Sequence, residues 1–293
     1  MNSKLLRGYL FAICSAVIYG CMPLMAKFIY ADGVNPMTLV FLRNLLALPS
    51  LGILALASQK TLKIPPKALG STTLISFFGC TLTPILLFSS YNYMASGTAT
   101  VFHFVYPAMV VVAGILFLRK KAQLWNLISV GLCVVGVALF YDPAEPLSLT
   151  GSAFALGSGV TFATYVVLLS KLKNDAVSGF VFSFYVAAAS AIMTFIACVA
   201  TGNLALPATW TGWGLCLLFA TLVTTGAVVL FQQAAFLIGG EKTSILSTLE
   251  PITSIVVGFL VFHETIKVNV LFGSLLVIAA SILIASTDLK KKK

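Results

Sequence analysis

Apolar runs of about 18–23 residues follow one another along the chain, each bounded by charge, proline, glycine or asparagine, the pattern of helices that cross a bilayer. Ten such spans are read, at 8–30, 36–58, 68–91, 97–118, 124–141, 150–171, 177–200, 212–238, 242–262 and 267–286. Their connections are short, which makes consecutive helices antiparallel neighbours and leaves no room for a soluble domain. Lys4 and Arg7 before the first run imitate a secretory signal. The run from Gly8 to Tyr30 outlasts a signal core of about 7–15 residues, however, and is read as the first span.

Polar residues inside the spans carry the chemical interest. Thr243, Ser247, Glu250 and Ser254 recur at helical spacing on one face of the ninth span, which predicts one wall of a wet cavity. Glu250 is followed by Pro251, which removes a backbone hydrogen bond and bends the helix beside the acid. An ionisable residue in hydrocarbon is a functional-site hypothesis by default, so Glu250 is read as a substrate-binding or proton-coupling carboxylate. The alternative is a carboxyl that satisfies backbone freed by the proline.

Tyr106-Pro107 stands 144 residues upstream of Glu250-Pro251, and Gly114 stands 144 upstream of Gly258. Gly8, Ala12, Ala16 and Gly20 in the first span are matched by Gly151, Ala155, Gly159 and Ala163 in the sixth. Such small-residue stripes let helix backbones approach closely where lipid supplies no hydrophobic drive. The chain therefore divides into five-helix repeats at 1–146 and 147–293. Five is odd, so the repeats are inverted, with a binding site expected near the midplane where they meet and hinges at Pro107 and Pro251.

Composition agrees with this pattern. Of the 293 residues, 59% are hydrophobic and 9% charged, far below the charge of a soluble domain. The net charge of +10 comes from lysines and arginines in short loops and tails, which argues against nucleic acid as a partner. With the N-terminus inside, fifteen of the eighteen basic residues fall on the inner side. Lys27 and Lys267 fall outside and Arg43 lies within a span, placing both termini in the cytoplasm. The six cysteines all lie in apolar spans without a C-x-x-C and are read as small buried hydrophobes.

Arg43 lies about 10 Å below the outer end of the second span, to receive a carboxylate bidentately or to snorkel to the interface. Lys27, nearer its helix end, is read as snorkelling. His103 shares the helical face of Tyr106 and corresponds to Ser247 in the ninth span; it serves a ligand or is satisfied by a neighbouring helix. Gln232 and Gln233 are amides in hydrocarbon, as substrate contact or interhelical glue. Tyr19, Tyr91 and Tyr165 are candidate cavity aromatics, and Pro23 and Thr81-Leu82-Thr83-Pro84 predict further bends. Glu264 and Lys267 are read as stabilising the outer turn. No G-x-S-x-G, H-E-x-x-H or P-loop is present, and no filter-like segment, so an enzyme and a channel are both disfavoured.

This arrangement resembles the EamA-type transporters of the drug/metabolite transporter superfamily. The resemblance rests on two halves of five spans, Arg43, the Tyr-Pro and Glu-Pro pairs, and Phe262-His263-Glu264 closing the ninth span. It implies a secondary carrier, typically an exporter of amino acids or related metabolites, in the plasma membrane. It also implies a cavity built from helices one to four and six to nine. That places Tyr19, Arg43, Tyr91, His103, Tyr106, Tyr165, Gln232 and Glu250 in or near the cavity. Lys120 stands where the first half of such proteins often carries a glutamate like Glu264, which weakens a symmetric gate of paired acids. The implied partners are a small-molecule substrate, protons as coupling ion and the lipid bilayer, for a monomer or homodimer without cofactors. Export of hydrophobic cations is the alternative substrate class; a membrane-embedded enzyme or its assembly partner is the rival from another class.

Overall fold

The computed structural model describes residues 3–59, 62–94, 96–118, 123–139, 148–172, 179–262 and 268–290. Among the described residues, seven helices are long and apolar enough to cross a membrane: α1 (Lys4–Ala31), α2 (Pro36–Ser58), α3 (Ala68–Ser90), α4 (Thr98–Phe117), α6 (Leu149–Lys171), α7 (Gly179–Ala200) and α8 (Trp210–Ile238). Between and after them lie the shorter α5 (Leu124–Ala138), a two-part α9 (Gly240–Leu246 and Leu249–Phe262) and α10 (Val268–Lys290). The reading of ten full-length spans is thus met by seven on length and hydropathy. Of the other three, α5 is short, α9 is broken, and α10 enters the comparison over Val268–Ala280 alone. The basic Arg119-Lys120-Lys121 run, the Asp142 and Glu145 loop and the turn carrying His263, Glu264 and Lys267 lie outside the described residues.

Several helices start on residues suited to that place. The Asn35 side chain accepts from the Thr38 backbone N–H at 2.8 Å, with Pro36 in the first turn. Ser148 and Thr209 cap α6 and α8 in the same way, accepting from Gly151 N and Gly212 N. Each satisfies a donor that the first turn leaves unpaired. At the junction of α8 and α9 Gly239 takes φ +87°, a conformation that a side chain would strain.

The helices are irregular where the sequence predicts bends. α1 is interrupted at Cys21, two residues before Pro23; α4 breaks at Phe104-Val105 before Pro107, and α9 at Ser247-Thr248 before Pro251. α3 carries a π-helical segment, Phe77–Leu82, just before Pro84. α8 carries one at Ala220–Val228 without any proline, which the sequence gives no reason to expect. A proline lacks the N–H that would continue the ladder, so the turn preceding it loosens. The breaks in α4 and α9, and the two π segments, recur about 144 residues apart.

Helix packing follows the repeat. α1 packs on α8 and α9, and α6 packs on α3 and α4; α2 packs on α7, and α5 on α10. Exchanging the first five helices for the second five returns the same set of pairs. The small-residue stripes lie at these seams. Gly8 abuts Ile238 and Leu237, Gly20 abuts Thr253, Gly151 abuts Tyr93 and Met94, and Gly159 abuts the His103 carbonyl.

Buried polar bonds tie α2, α3 and α7 into one unit. The Asn44 amide donates to the Ser190 hydroxyl at 3.1 Å, Ser190 donates to the Cys80 carbonyl at 2.8 Å, and Thr81 donates to Ser190 at 2.9 Å. The Cys80 carbonyl lies within the π segment, where the backbone ladder is loosened and an oxygen is open to a neighbour. Among the cysteines, Cys80, Cys133, Cys198 and Cys216 are buried and all six are free. Cys14 corrects the expectation of burial: it is exposed on the outer face of α1, between Ile13 and the buried Ser15. Lipid accepts a thiol as readily as a core does.

Candidate functional site

The two ends of the bundle differ. At the near end Gly8 meets Ile238, and Gly240 lies against Val166 and Ser170 of α6, so α9's first segment plugs the space between α6 and α8. At the far end the loop after α1 is latched to the start of α8. The Thr209 hydroxyl donates to the Asp32 carboxylate at 2.8 Å, and the amide of Asn35 donates to the Asn203 carbonyl. Among the described residues no packing like that of Gly240 on α6 joins the second part of α1 to the first part of α4.

A narrow cavity lies between these ends. Its far-end wall is Met22, Pro84 and Leu87; its middle holds Tyr19, Arg43, Thr83, His103, Tyr106, Ser247 and Glu250; Phe162 and Phe231 stand toward the near end. The breaks in α4 and α9 fall beside it, so His103 and Tyr106 flank one interruption and Ser247 and Glu250 flank the other. A helix that restarts inside the bundle turns its first side chains toward the gap, and this brings polar residues from both repeats to one place.

Arg43 is 3% exposed and lines the cavity, so it does not snorkel. Its Nε is enclosed and has no hydrogen-bond partner. Glu250 is 8% exposed on the same cavity. Among the described residues no ion pair within 4 Å joins the two. A guanidinium with no acidic partner among the described residues and a carboxyl with no basic one are each costly in an enclosed space, and a ligand carrying the opposite charges would satisfy both.

His103 is fixed by Ser158. The Ser158 hydroxyl donates to the Ala155 carbonyl at 2.6 Å, and its oxygen lies 2.8 Å from His103 Nδ1. The hydroxyl proton is committed to the carbonyl, so Nδ1 carries a proton and donates to Ser158, leaving Nε2 as the acceptor of the ring. Ser158→Ala removes that restraint. The expected cost is about 1 kcal/mol of stability, read by thermal unfolding in detergent.

An aromatic floor supports these groups. The rings of Tyr106 and Phe162 meet edge to face with centroids 4.6 Å apart, and Phe162 touches Phe231 and Tyr165 at 5.3 Å each. Phe162 and Phe231 were not singled out by sequence reasoning. Phe162 lies one turn before Tyr165 on α6, which is the only signal that could have found it.

Not every residue of interest reaches the cavity. Tyr165 is buried behind Gly79, whose missing side chain makes room for the Tyr165 ring. Gln232 accepts a hydrogen bond from Ser183 of α7 through Oε1, while its Nε2 is buried without a partner. Tyr91 lies one turn beyond Leu87, against Phe88. On α9, Thr243 donates to Gly239 O, and Ser254 donates to Gly20 O at 2.7 Å across the seam with α1. Of the expected polar stripe, Ser247 and Glu250 therefore face the cavity, while Thr243 bonds within its own helix and Ser254 faces the α1 seam. Lys27 is exposed near the far end of α1. Among the described residues no three His, Cys, Asp or Glu side chains converge as metal ligands.

Comparison with known proteins points to the same class of molecule. A transporter of Clostridium kluyveri, described as uncharacterized, is 23% identical over 309 residues, covering 97% of this chain and 94% of that protein. A second uncharacterized transporter, from Haemophilus influenzae, is 27% identical over 143 residues, 48% of this chain and 46% of its own. One crystal structure superposes with a TM-score of 0.76 over 98% of this chain and 99% of the other, at 13% identity, a likeness of fold alone. The profile of the EamA-like transporter family matches twice, at residues 6–141 and 149–286. Two family repeats, membrane-spanning helices throughout and a polar cavity between them lead to one conclusion: the chain belongs to the EamA-like transporter family, a multi-span membrane transporter.

Proposed function

We propose that the protein is a secondary carrier that exports a small zwitterionic metabolite, an amino acid or derivative, by alternating access. The observation that carries this reading is the pair Arg43 and Glu250, unpaired with each other on one cavity. Arg43 would receive the substrate carboxylate in a fork, and Glu250 the ammonium or a proton. Tyr19, Tyr106 and Ser247 would supply hydrogen bonds, and the Phe162 and Phe231 rings the apolar floor. The single charge of each sign favours a zwitterion over a hydrophobic cation, which Arg43 would repel.

In this reading the chain crosses the plasma membrane ten times, as repeats 1–146 and 147–293 inserted with opposite orientation and both termini in the cytoplasm. Support comes from the exchange symmetry of the helix pairs and from the ends that meet. The start of α1 and the end of α6 both lie at the near end, beside Ile238 and Gly240 respectively. Protons are the coupling ion, and the repeats rock about the interruptions preceding Pro107 and Pro251. Substrate drives the change by binding the two end states unequally.

Counterflow in proteoliposomes tests the reading. Loading with a panel of amino acids should accelerate uptake of a labelled member, and quaternary ammonium compounds should not. Counterflow with the ammonium compounds alone would overturn it. Arg43→Lys keeps the charge and loses the fork, so uptake of carboxylate-bearing substrates should fall roughly tenfold, in line with one lost charged hydrogen bond. Amines lacking a carboxylate should be less affected in the same assay, whereas equal losses would make Arg43 a packing residue.

A further inference from the structure

A polar stripe runs down α5 on the side turned away from lipid. Leu124, Trp125, Leu127, Ile128, Val134 and Val135 are exposed on this helix, as residues facing lipid are. Asn126, Ser129 and Cys133 recur at helical spacing on its other side and are 6%, 0% and 2% exposed. The second part of α4 and the first part of α9 both pack on α5.

Both ends of the stripe are tied to α9. At the near end the Asn126 amide donates to the Glu241 carboxylate at 3.3 Å. About 10 Å deeper, at the helical rise, Cys133 Sγ lies 3.3 Å from Thr248 Oγ1 in the break of α9. The Thr248 hydroxyl donates to the Ile245 carbonyl at 2.6 Å, so the thiol donates to the threonine. Between these two ties, Asn126 Oδ1 and Ser129 Oγ are enclosed without a hydrogen-bond partner. A buried hydroxyl ordinarily turns to a carbonyl, as Ser76 does to that of Val186 and Ser15 to that of Ala227. Ser129 does not, although its own helix offers carbonyls one turn back. Two such atoms on consecutive turns, in a segment where lipid supplies no partner, make a site for internal water.

The deep end of the seam meets the transport cavity at Tyr106. This residue is 1% exposed, lines the cavity, and interacts with Ser247, Glu250 and Cys133.

We infer that the seam between α5 and α9 is a proton path from the near end to Glu250, carried by internal water held on Asn126 and Ser129. The inference rests on the reading of Glu250 as the coupling acid. A proton taken up at Glu241 passes along the water to the Tyr106 hydroxyl, and through Ser247 to the Glu250 carboxylate. Each water and hydroxyl accepts one proton as it gives up another, so the net gain falls on Glu250 alone. The other titratable groups about the route are Lys242 at its mouth, Tyr9 in one core with Cys133 and Ile245, and Tyr19, Arg43 and His103 on the cavity with Glu250. Protons thus reach the acid from the near end while the first part of α9 keeps that end closed to substrate.

Ser129→Val and Ser129→Thr add the same bulk and differ in the hydroxyl, so comparing them separates the path from packing. In proteoliposomes of the full chain, transport driven by an imposed proton gradient should be roughly tenfold slower in Ser129→Val than in Ser129→Thr, the scale of one hydrogen bond lost from a transfer step. Counterflow without a gradient should be the same in both. Equal driven rates in the two variants would overturn the inference. So would a loss of counterflow as large as the loss of driven transport, which would make Ser129 a packing residue. Hydroxyl-radical footprinting of the purified protein reads the water without any transport. Cys133, although buried, should be oxidised several-fold faster than Cys216, which is buried among apolar residues, and Ser129→Val should remove the difference. Cys133 oxidised no faster than Cys216 in the parent protein would overturn the path. Rapid oxidation of Cys133 in a protein that shows no counterflow would instead overturn the carrier function and leave the water file standing.

Discussion

Replacing Glu250 with glutamine should strongly reduce proton-gradient-driven transport in proteoliposomes while the protein is still recovered folded in near-normal yield. Glutamine keeps the shape and one acceptor but cannot lose a proton, and Glu250 makes no side-chain bond to the described residues that the change would break. The loss expected is roughly 10–100-fold, the scale of one charge-assisted hydrogen bond removed from an enclosed site. The part of the pH dependence that a carboxyl carries should also be lost, because among the described residues no other carboxyl lines the cavity; what His103 contributes there should remain. An unchanged response to the proton gradient in the glutamine variant would take Glu250 out of the coupling step and leave it a structural acid.

The second large effect is expected at Gly20, one of the glycines of the bundle at which an added carbon meets backbone. A side-chain carbon there would stand 2.4 Å from Thr253 Cβ and 2.8 Å from the Glu250 carbonyl. The second contact is backbone and cannot rotate away, so α1 and α9 would have to part. Gly20→Ala should cost about 1–3 kcal/mol, the range for overpacking a filled core, and Gly20→Val more. Thermal unfolding in detergent measures it, with Gly70→Ala as the control, since nothing lies within 4 Å of a carbon added at Gly70. Transport should fall in Gly20→Ala as well, because the displaced carbonyl belongs to Glu250. A melting temperature unchanged from the parent protein would mean that the seam opens freely.

How much of this was legible beforehand depends on the kind of signal. The spans, the bends before Pro23, Pro84, Pro107 and Pro251, and the small-residue seams could be read because each has a local cause: hydropathy, a missing N–H, or a missing side chain. The convergence of Tyr19, Arg43, His103, Tyr106, Ser247 and Glu250 could be read in outline, since polar residues in apolar spans must find an interior. Burial removed snorkelling as an account of Arg43, which sequence alone left open. Other features left no trace. Phe162 and Phe231 look like any phenylalanine facing lipid, and 45 large hydrophobic residues of the described chain are indeed exposed, so hydrophobicity does not point inward here. The Asn44–Ser190–Cys80 bonds join residues more than a hundred positions apart with no shared motif. The π segment of α8 has no proline to announce it.

The matching interruptions of the two halves bear on ancestry. Side chains at corresponding positions have drifted so far that Tyr106 answers to Glu250 and His103 to Ser247, yet between α3 and α8, and between α4 and α9, the places where the coil is widened or broken still coincide. Backbone defects have thus outlasted the residues around them, as expected if each defect is what lets a half open and close while the chemistry beside it is free to change. Distant kin of this chain are then better sought by where their helices falter than by which amino acids they retain.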